Sequence, residues 1–153
     1  MESPKRRYPI HITRDRSVFD DSVYFATVCT KDRKPILARE EAHETLARVW
    51  KSADHWLVGR YVVMPDHVHL ICAPGQVDAV SLTKWVAYWK SQCSKTWPHP
   101  GDKPIWQQQF WDTRVRRNRA EQKWQYVVEN PVRHGLVAKT ADWPFQGEIH
   151  RLR

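Results

Sequence analysis

Apolar positions along the chain follow two different rhythms. The run "VYFATVCT" (23–30) is β-branched and aromatic and stops at the basic stretch "KDRKP", which predicts a first strand. In "REEAHETLARVWKSADH" (39–55), Ala42, Leu46, Val49 and Trp50 recur at the spacing of one helical face. Two further strand-like runs, "WLVGRYVVM" and "HVHLICA", are separated by Pro65-Asp66, a turn signal because proline presets φ and aspartate caps the turn. Together they predict a hairpin. "APGQVDAVSLTKWVAYWKSQCSKTW" carries Val80, Trp85, Val86 and Trp89 at helical spacing until Pro98 and Pro100 stop it. "IWQQQFWDTRV" predicts another strand, and "NRAEQKWQYVVEN" a third helix ended by Pro131, since the residue before a proline is pushed out of the helical region. The order β-α-β-β-α-β-α predicts an α+β fold: a ferredoxin-like split βαβ with an antiparallel sheet and one added C-terminal helix.

At 153 residues the chain fits one domain, 1–153, with a basic N-terminal segment (1–19), a core of about 20–137 and a tail (138–153). The 25 Lys+Arg against 17 Asp+Glu give a net charge of +8, which favours a polyanionic partner such as nucleic acid. Cys29, Cys72 and Cys93 are scattered and form no CxxC pair, so neither a disulfide framework nor a thiolate zinc site is indicated, and a reducing cytoplasm fits best. The N-terminal "MESPKRRYPIHITRDR" has no apolar h-region, and no stretch approaches the roughly 20 apolar residues of a membrane span. The expectation is a soluble protein. Nine tryptophans exceed the usual share, and core packing competes with base stacking as their explanation.

Candidate chemistry begins at "YVVMPDHVHLI" (61–71). Strand side chains alternate, so His67 and His69 share a face, about 7 Å apart along the strand, and two imidazoles so placed can share a cation. Solvent-facing histidines on an amphipathic strand would look the same. A third ligand has two sources. Tyr126 and Asn130 are four residues apart in the third helix, and the Asn130 amide oxygen suits Mg²⁺ or Mn²⁺; Tyr88 and Gln92 share that spacing in the second helix. Periodicity does not choose between them. Basic residues cluster in "TRVRRNR", as Arg114, Arg116, Arg117 and Arg119, and in "KRR", which contains Arg6 and Arg7 and is followed by Arg14 and Arg16. Lys90, beside Trp85 and Trp89, joins a cation to aromatic rings as single-stranded DNA binding favours.

The segments "YFATVCTKDRKPIL", "VVMPDHVHLI", "IWQQQFWDTRVRR", "YVVENPVRHGLV" and "ADWPF", in that order, resemble the REP-associated tyrosine transposases, relatives of the single-tyrosine insertion-sequence transposases. The resemblance spans about residues 6–145. It implies a ferredoxin-like catalytic domain with His67 and His69 as metal ligands, Tyr126 as a helix-borne nucleophile and Asn130 completing the metal site. This favours Tyr126 over Tyr88. It further implies Mg or Mn as cofactor, and cleavage and rejoining of single-stranded DNA at hairpin-forming palindromic repeats through a 5′-phosphotyrosine. The implied setting is the nucleoid of a bacterial cytoplasm, as a monomer, although related enzymes act as dimers. One departure is visible: members often carry a serine pair after "DWP", where this chain has Gln146-Gly147 beyond Phe145. Two rival expectations stand beside it. One is a hairpin-DNA-binding regulator that does not cut; the other is a zinc hydrolase built on the histidine pair, which lacks the glutamate of an HExxH helix.

Overall fold

In the first strand, β1 (Ser22–Thr30), consecutive side chains enter two different cores. The computed structural model describes residues 22–152. After β1 come α1 (Glu40–Ser52), β2 (Trp56–Val63), β3 (His67–Pro74), α2 (Leu82–Lys95), β4 (Trp106–Arg116), α3 (Arg117–Val128), α4 (Asn130–Arg133) and β5 (Gln146–Glu148). The sheet is antiparallel in every pairing and ordered β4-β1-β3-β2-β5. Its first four strands have the expected split βαβ arrangement.

One face of the sheet, through Tyr24, Ala26, Val28, Val68, Leu70 and Cys72, packs on α1 and α2. The helical stripe predicted for α1 is buried there, with Leu46 and Trp50 fully enclosed, and Trp85 and Trp89 of α2 join it. Each such side chain contributes about 1.5–3 kcal/mol by leaving water. The expected tryptophan platform on α2 is therefore corrected: Trp85 and Trp89 are core residues, too deeply packed to meet a base. Val80 precedes α2, where its carbonyl accepts a hydrogen bond from the Trp56 indole at 2.7 Å.

The opposite face carries Val23, Phe25, Val62, Ile71 and Ala73 and is covered by Trp124 and Val127 of α3 and by Trp143. Residues beyond 137 also pack on this face. Trp143 is buried and its indole donates to the Val63 carbonyl at 3.0 Å, while β5 adds a fifth strand beside β2. Glycine at 147 makes that docking close, since a Cβ there would lie 2.8 Å from the Tyr61 hydroxyl.

The third helix ends differently from its prediction. It stops at Val128, and a new turn starts at Asn130 with Pro131 inside it. Proline lacks only an N–H that a first helical turn leaves unpaired anyway, so it suits the start of α4. The His134 amide closes the turn on the Asn130 carbonyl at 2.9 Å. Among the described residues, no helix is long and apolar enough to cross a membrane.

Candidate active site

The hairpin turn sets the histidines. Met64 N–H bonds the His67 carbonyl at 2.8 Å, and the Asp66 carbonyl accepts from the Thr30 amide at 3.0 Å, which ties the turn to the end of β1. In the resulting register Thr27 lies opposite His69 and Cys29 opposite His67. Both imidazoles point to the α3 face, and their Nε2 atoms converge at 3.1 Å. Their Nδ1 atoms are held from behind, His67 by Asp66 Oδ1 at 2.7 Å and His69 by Thr27 Oγ1 at 3.1 Å. The Arg33 guanidinium in turn donates to Asp66 Oδ2 at 3.0 Å. Asp32 and Arg33, which form the turn that delivers this guanidinium, adopt left-handed φ angles of 55° and 54°. Such backbone costs on the order of 1–3 kcal/mol for a residue other than glycine, and it sits where the histidine support is built.

Burial pushes the His69 imidazole down to about 3, with electrostatic interactions from His67, Arg133, His134 and Lys123 adding to the shift. Burial also lowers His67, against the raising effect of Asp66. Although burial raises Asp66, the hydrogen bonds from His67 and Arg33 hold it below the usual carboxylate range. Both rings are therefore neutral near pH 7. With the Asp66 carboxylate claiming the Nδ1 proton of His67, its Nε2 is a bare lone pair; Thr27 gives His69 the same option. Burial raises the Cys29 thiol, which remains protonated beside them.

Above this pair lies the end of α3. Trp124 packs on Phe25, with ring centroids 6.3 Å apart, and the Lys123 ammonium sits 5.3 Å from the same ring. Tyr126 is 67% exposed, and the Arg133 guanidinium covers its ring at 3.8 Å. Asn130 is buried, and its Nδ2 donates to the Val127 carbonyl at 3.1 Å, a bond that does not involve its Oδ1. His134 Nδ1 bonds the Asn130 carbonyl at 2.9 Å and reaches both histidines electrostatically. Of these groups, Lys123, Arg133 and His134 act electrostatically on the histidine pair, and Arg133 also stacks on Tyr126.

The model of the family described as "Transposase IS200 like" matches residues 19–130, nearly the whole span from β1 to Asn130. The chain belongs to this family. It is 32% identical to the REP-associated tyrosine transposase of Escherichia coli K12 over 96 residues, covering 61% of the chain and 54% of that relative. A Haemophilus influenzae protein described in the same terms is 26% identical over 144 residues, covering 84% of the chain and 80% of that protein. The chain thus spans about half the length of the first relative and most of the second. Among solved structures, a REP-associated tyrosine transposase bound to a REP hairpin superposes with a TM-score of 0.69 at 26% identity, over 95% of this chain and 82% of that one.

Against this family background, several expected positions fall elsewhere. Arg114 and Arg116 share a strand face as expected, but it is the face of Tyr24 and Ser22, which lies opposite the histidines. A phosphate at the histidine pair is out of their direction, because strand alternation had not said which face they took. Arg117 and Arg119 are in the first turn of α3, at its far end from Tyr126. Lys90 donates its ammonium to the Gln107 and Gln108 carbonyls at 2.8 and 3.3 Å, and burial lowers it to about 8. It braces α2 against β4. Arg6, Arg7, Arg14 and Arg16 lie outside the described residues. The basic groups that do act on the pair, Arg33, Lys123 and Arg133, with His134, come from three separate elements, so no run of basic residues marks them in sequence.

The donor set fits a divalent cation. The two Nε2 atoms, 3.1 Å apart, can share a proton in a neutral N–H···N hydrogen bond or present both lone pairs to a cation, and burial disfavours only the charged imidazolium. No group of three His, Cys, Asp or Glu side chains suited to a metal occurs among the described residues. A third ligand from the protein would thus be an amide or hydroxyl oxygen, which suits Mg or Mn better than a structural zinc.

Proposed function

We propose that this chain is a metal-dependent transposase-like strand transferase, which cleaves and rejoins single-stranded DNA beside a hairpin-forming repeat through a 5′-phosphotyrosine at Tyr126. The observation that carries this reading is the convergence of two neutral imidazole Nε2 atoms, each anchored through Nδ1, on the sheet face that α3 covers, with Tyr126 exposed on that helix. The hairpin bound by the superposable relative supports the choice of DNA.

A divalent cation, held by His67, His69 and Asn130, would polarise the scissile phosphate when bound. The remaining work belongs to the chain's own groups. Tyr126 Oη attacks phosphorus, its proton passes to solvent, and the bond to the 3′ oxygen breaks, leaving a free 3′-OH and a 5′-phosphotyrosyl end. Phenol is more acidic than a sugar hydroxyl and is the better leaving group, so a DNA 3′-OH reverses the step with no external energy source. Arg133, stacked on the Tyr126 ring, restrains the phenol and offers its charge to the phosphate. Lys123 adds positive potential around it, which favours the DNA backbone and weakens as salt rises.

The test is nicking of an end-labelled DNA hairpin with an unpaired flank. The expected result is cleavage with Mg²⁺ or Mn²⁺, none in EDTA, and loss of cleavage in His67→Ala and His69→Ala. Full cleavage by both histidine variants removes the metal site; salt-sensitive binding without cleavage in either metal favours a hairpin-binding regulator instead.

A further inference from the structure

Eight of the nine tryptophans pack against another aromatic ring within the described residues: Trp50, Trp56, Trp85, Trp89, Trp97, Trp106, Trp124 and Trp143. Trp111 is the exception. It makes no ring contact among the described residues, no hydrogen bond there engages its indole, and it is only half-buried on the outermost strand, β4.

Its position is set by register. Trp111 pairs with Thr27, and Thr27 pairs with His69 on the other side, so the three lie in one row across the sheet. Directly opposed residues in antiparallel strands present their side chains on the same face, and the Thr27 hydroxyl bond to His69 shows which face that is. With strands about 4.8 Å apart, Trp111 lies about 10 Å from His69, measured across the sheet. The α3 cover reaches Val23 and Phe25, lower on β1, and the next position on the same face of β4 toward the open end, Gln109, is exposed. A half-buried indole without an aromatic partner among the described residues thus lies in the row of the histidine pair, one strand beyond the threonine that holds it.

We propose that Trp111 is a stacking platform for an unpaired nucleobase of the DNA strand that crosses the histidine pair. The proposal rests on the reading of the site as one that acts on single-stranded DNA. It assigns a nucleobase subsite on β4, away from the tyrosine helix. Stacking tolerates any base because every base has a π face, so this subsite fixes the path of the strand more than its sequence. The phosphate held at the histidines then belongs to a nucleotide neighbouring the stacked one.

The test uses a fluorescein-labelled DNA hairpin with an unpaired oligothymidylate flank, titrated by fluorescence anisotropy against protein carrying Tyr126→Phe to prevent turnover. Trp111→Ala is expected to weaken binding by about 5- to 150-fold, the range of one lost base–aromatic stack. Trp111→Phe, which keeps a π face, is expected to restore most of the loss, and Trp111→Leu, which keeps apolar bulk alone, to bind as weakly as the alanine variant. Abasic sites placed one at a time along the flank should weaken the parent protein at one position and have no further effect there in Trp111→Leu. Leucine binding as well as tryptophan, or an abasic penalty equal in both proteins at every position, overturns the platform. These readouts need no cleavage. A stack without any nicking by the wild type rejects the strand-transferase chemistry alone, and nicking without the coupling rejects the platform alone.

Discussion

The carboxylate behind His67 should set cation affinity, and its removal is the sharpest test of how the site is organised. Asp66 Oδ1 accepts from His67 Nδ1 at 2.7 Å while its Oδ2 accepts from Arg33, so Asp66→Ala removes both the acceptor and the negative charge that keep the Nε2 lone pair facing outward. A hydrogen bond to a charged group contributes about 1.5–3 kcal/mol. The Asp66 side chain is 28% exposed, so solvent screening places the effect in the lower part of that range, about 1.5–2 kcal/mol. Divalent cation affinity should then fall about 10- to 30-fold, in line with the loss usual for the groups that orient metal-bound histidines. Asp66→Asn keeps an acceptor without the charge and should lose about 5-fold; Thr27→Val, which removes the neutral anchor of His69, should lose a similar amount. Mn²⁺ titration calorimetry on the DNA-free protein measures all three, with thermal unfolding to establish that each variant is folded. Affinity of Asp66→Ala within about twofold of wild type would refute the reasoning, since His67 would then need no carboxylate to present its nitrogen.

Further outcomes follow from the same geometry. In the metal-free protein both histidines are held neutral by burial, His69 down to about 3, whereas in the unfolded chain they protonate near 6.5. The unfolded state therefore binds more protons below about pH 6.5, and stability should fall as pH drops from there toward 3, by up to about 1.4 kcal/mol per pH unit from His69, with His67 adding in the same direction below its usual range. Denaturant titrations in EDTA over that range should show the slope, and His69→Gln should flatten it; an unchanged slope contradicts the assignment. Trp89→Ala should cost about 3–5 kcal/mol of stability while the folded protein binds DNA as before, because Trp89 is fully buried in the core on α1 and α2. Lys90→Met should likewise leave DNA affinity unchanged, since the ammonium is committed to two β4 carbonyls; a clear loss of binding at fixed salt would return Lys90 to the DNA interface.

Much of this architecture was legible from local signals. The apolar face of α1, the hairpin at Pro65-Asp66 and the strand character of β4 follow from spacing and turn chemistry, and each forms where those predict. Side-chain alternation placed His67 and His69 on one face, and their convergence follows from the register that Thr27 and Cys29 impose. What stayed hidden depends on the third dimension. Alternation says that Arg114 and Arg116 share a face but not which one, since that is decided by pairing with Tyr24 and Ser22 far away in sequence. Proline at 131 ends one helix or begins another with equal local sense, and the bonds across residues 129–134 decide for a beginning. Gln146–Glu148 is too short to announce a strand, and forms one because the β2 edge is there to pair with. Arg33, Lys123, Arg133 and His134 gather around the histidines only once three elements are folded together.

The most direct measurement is the identity of the residue joined to DNA. Incubating the protein with Mn²⁺ and a hairpin-bearing single strand, trapping under denaturing conditions and mapping the DNA-linked peptide by mass spectrometry should place the 5′-phosphate on Tyr126, with no adduct in Tyr126→Phe. An adduct that survives Tyr126→Phe, or one mapped to Tyr88 on the opposite side of the sheet, would contradict the account.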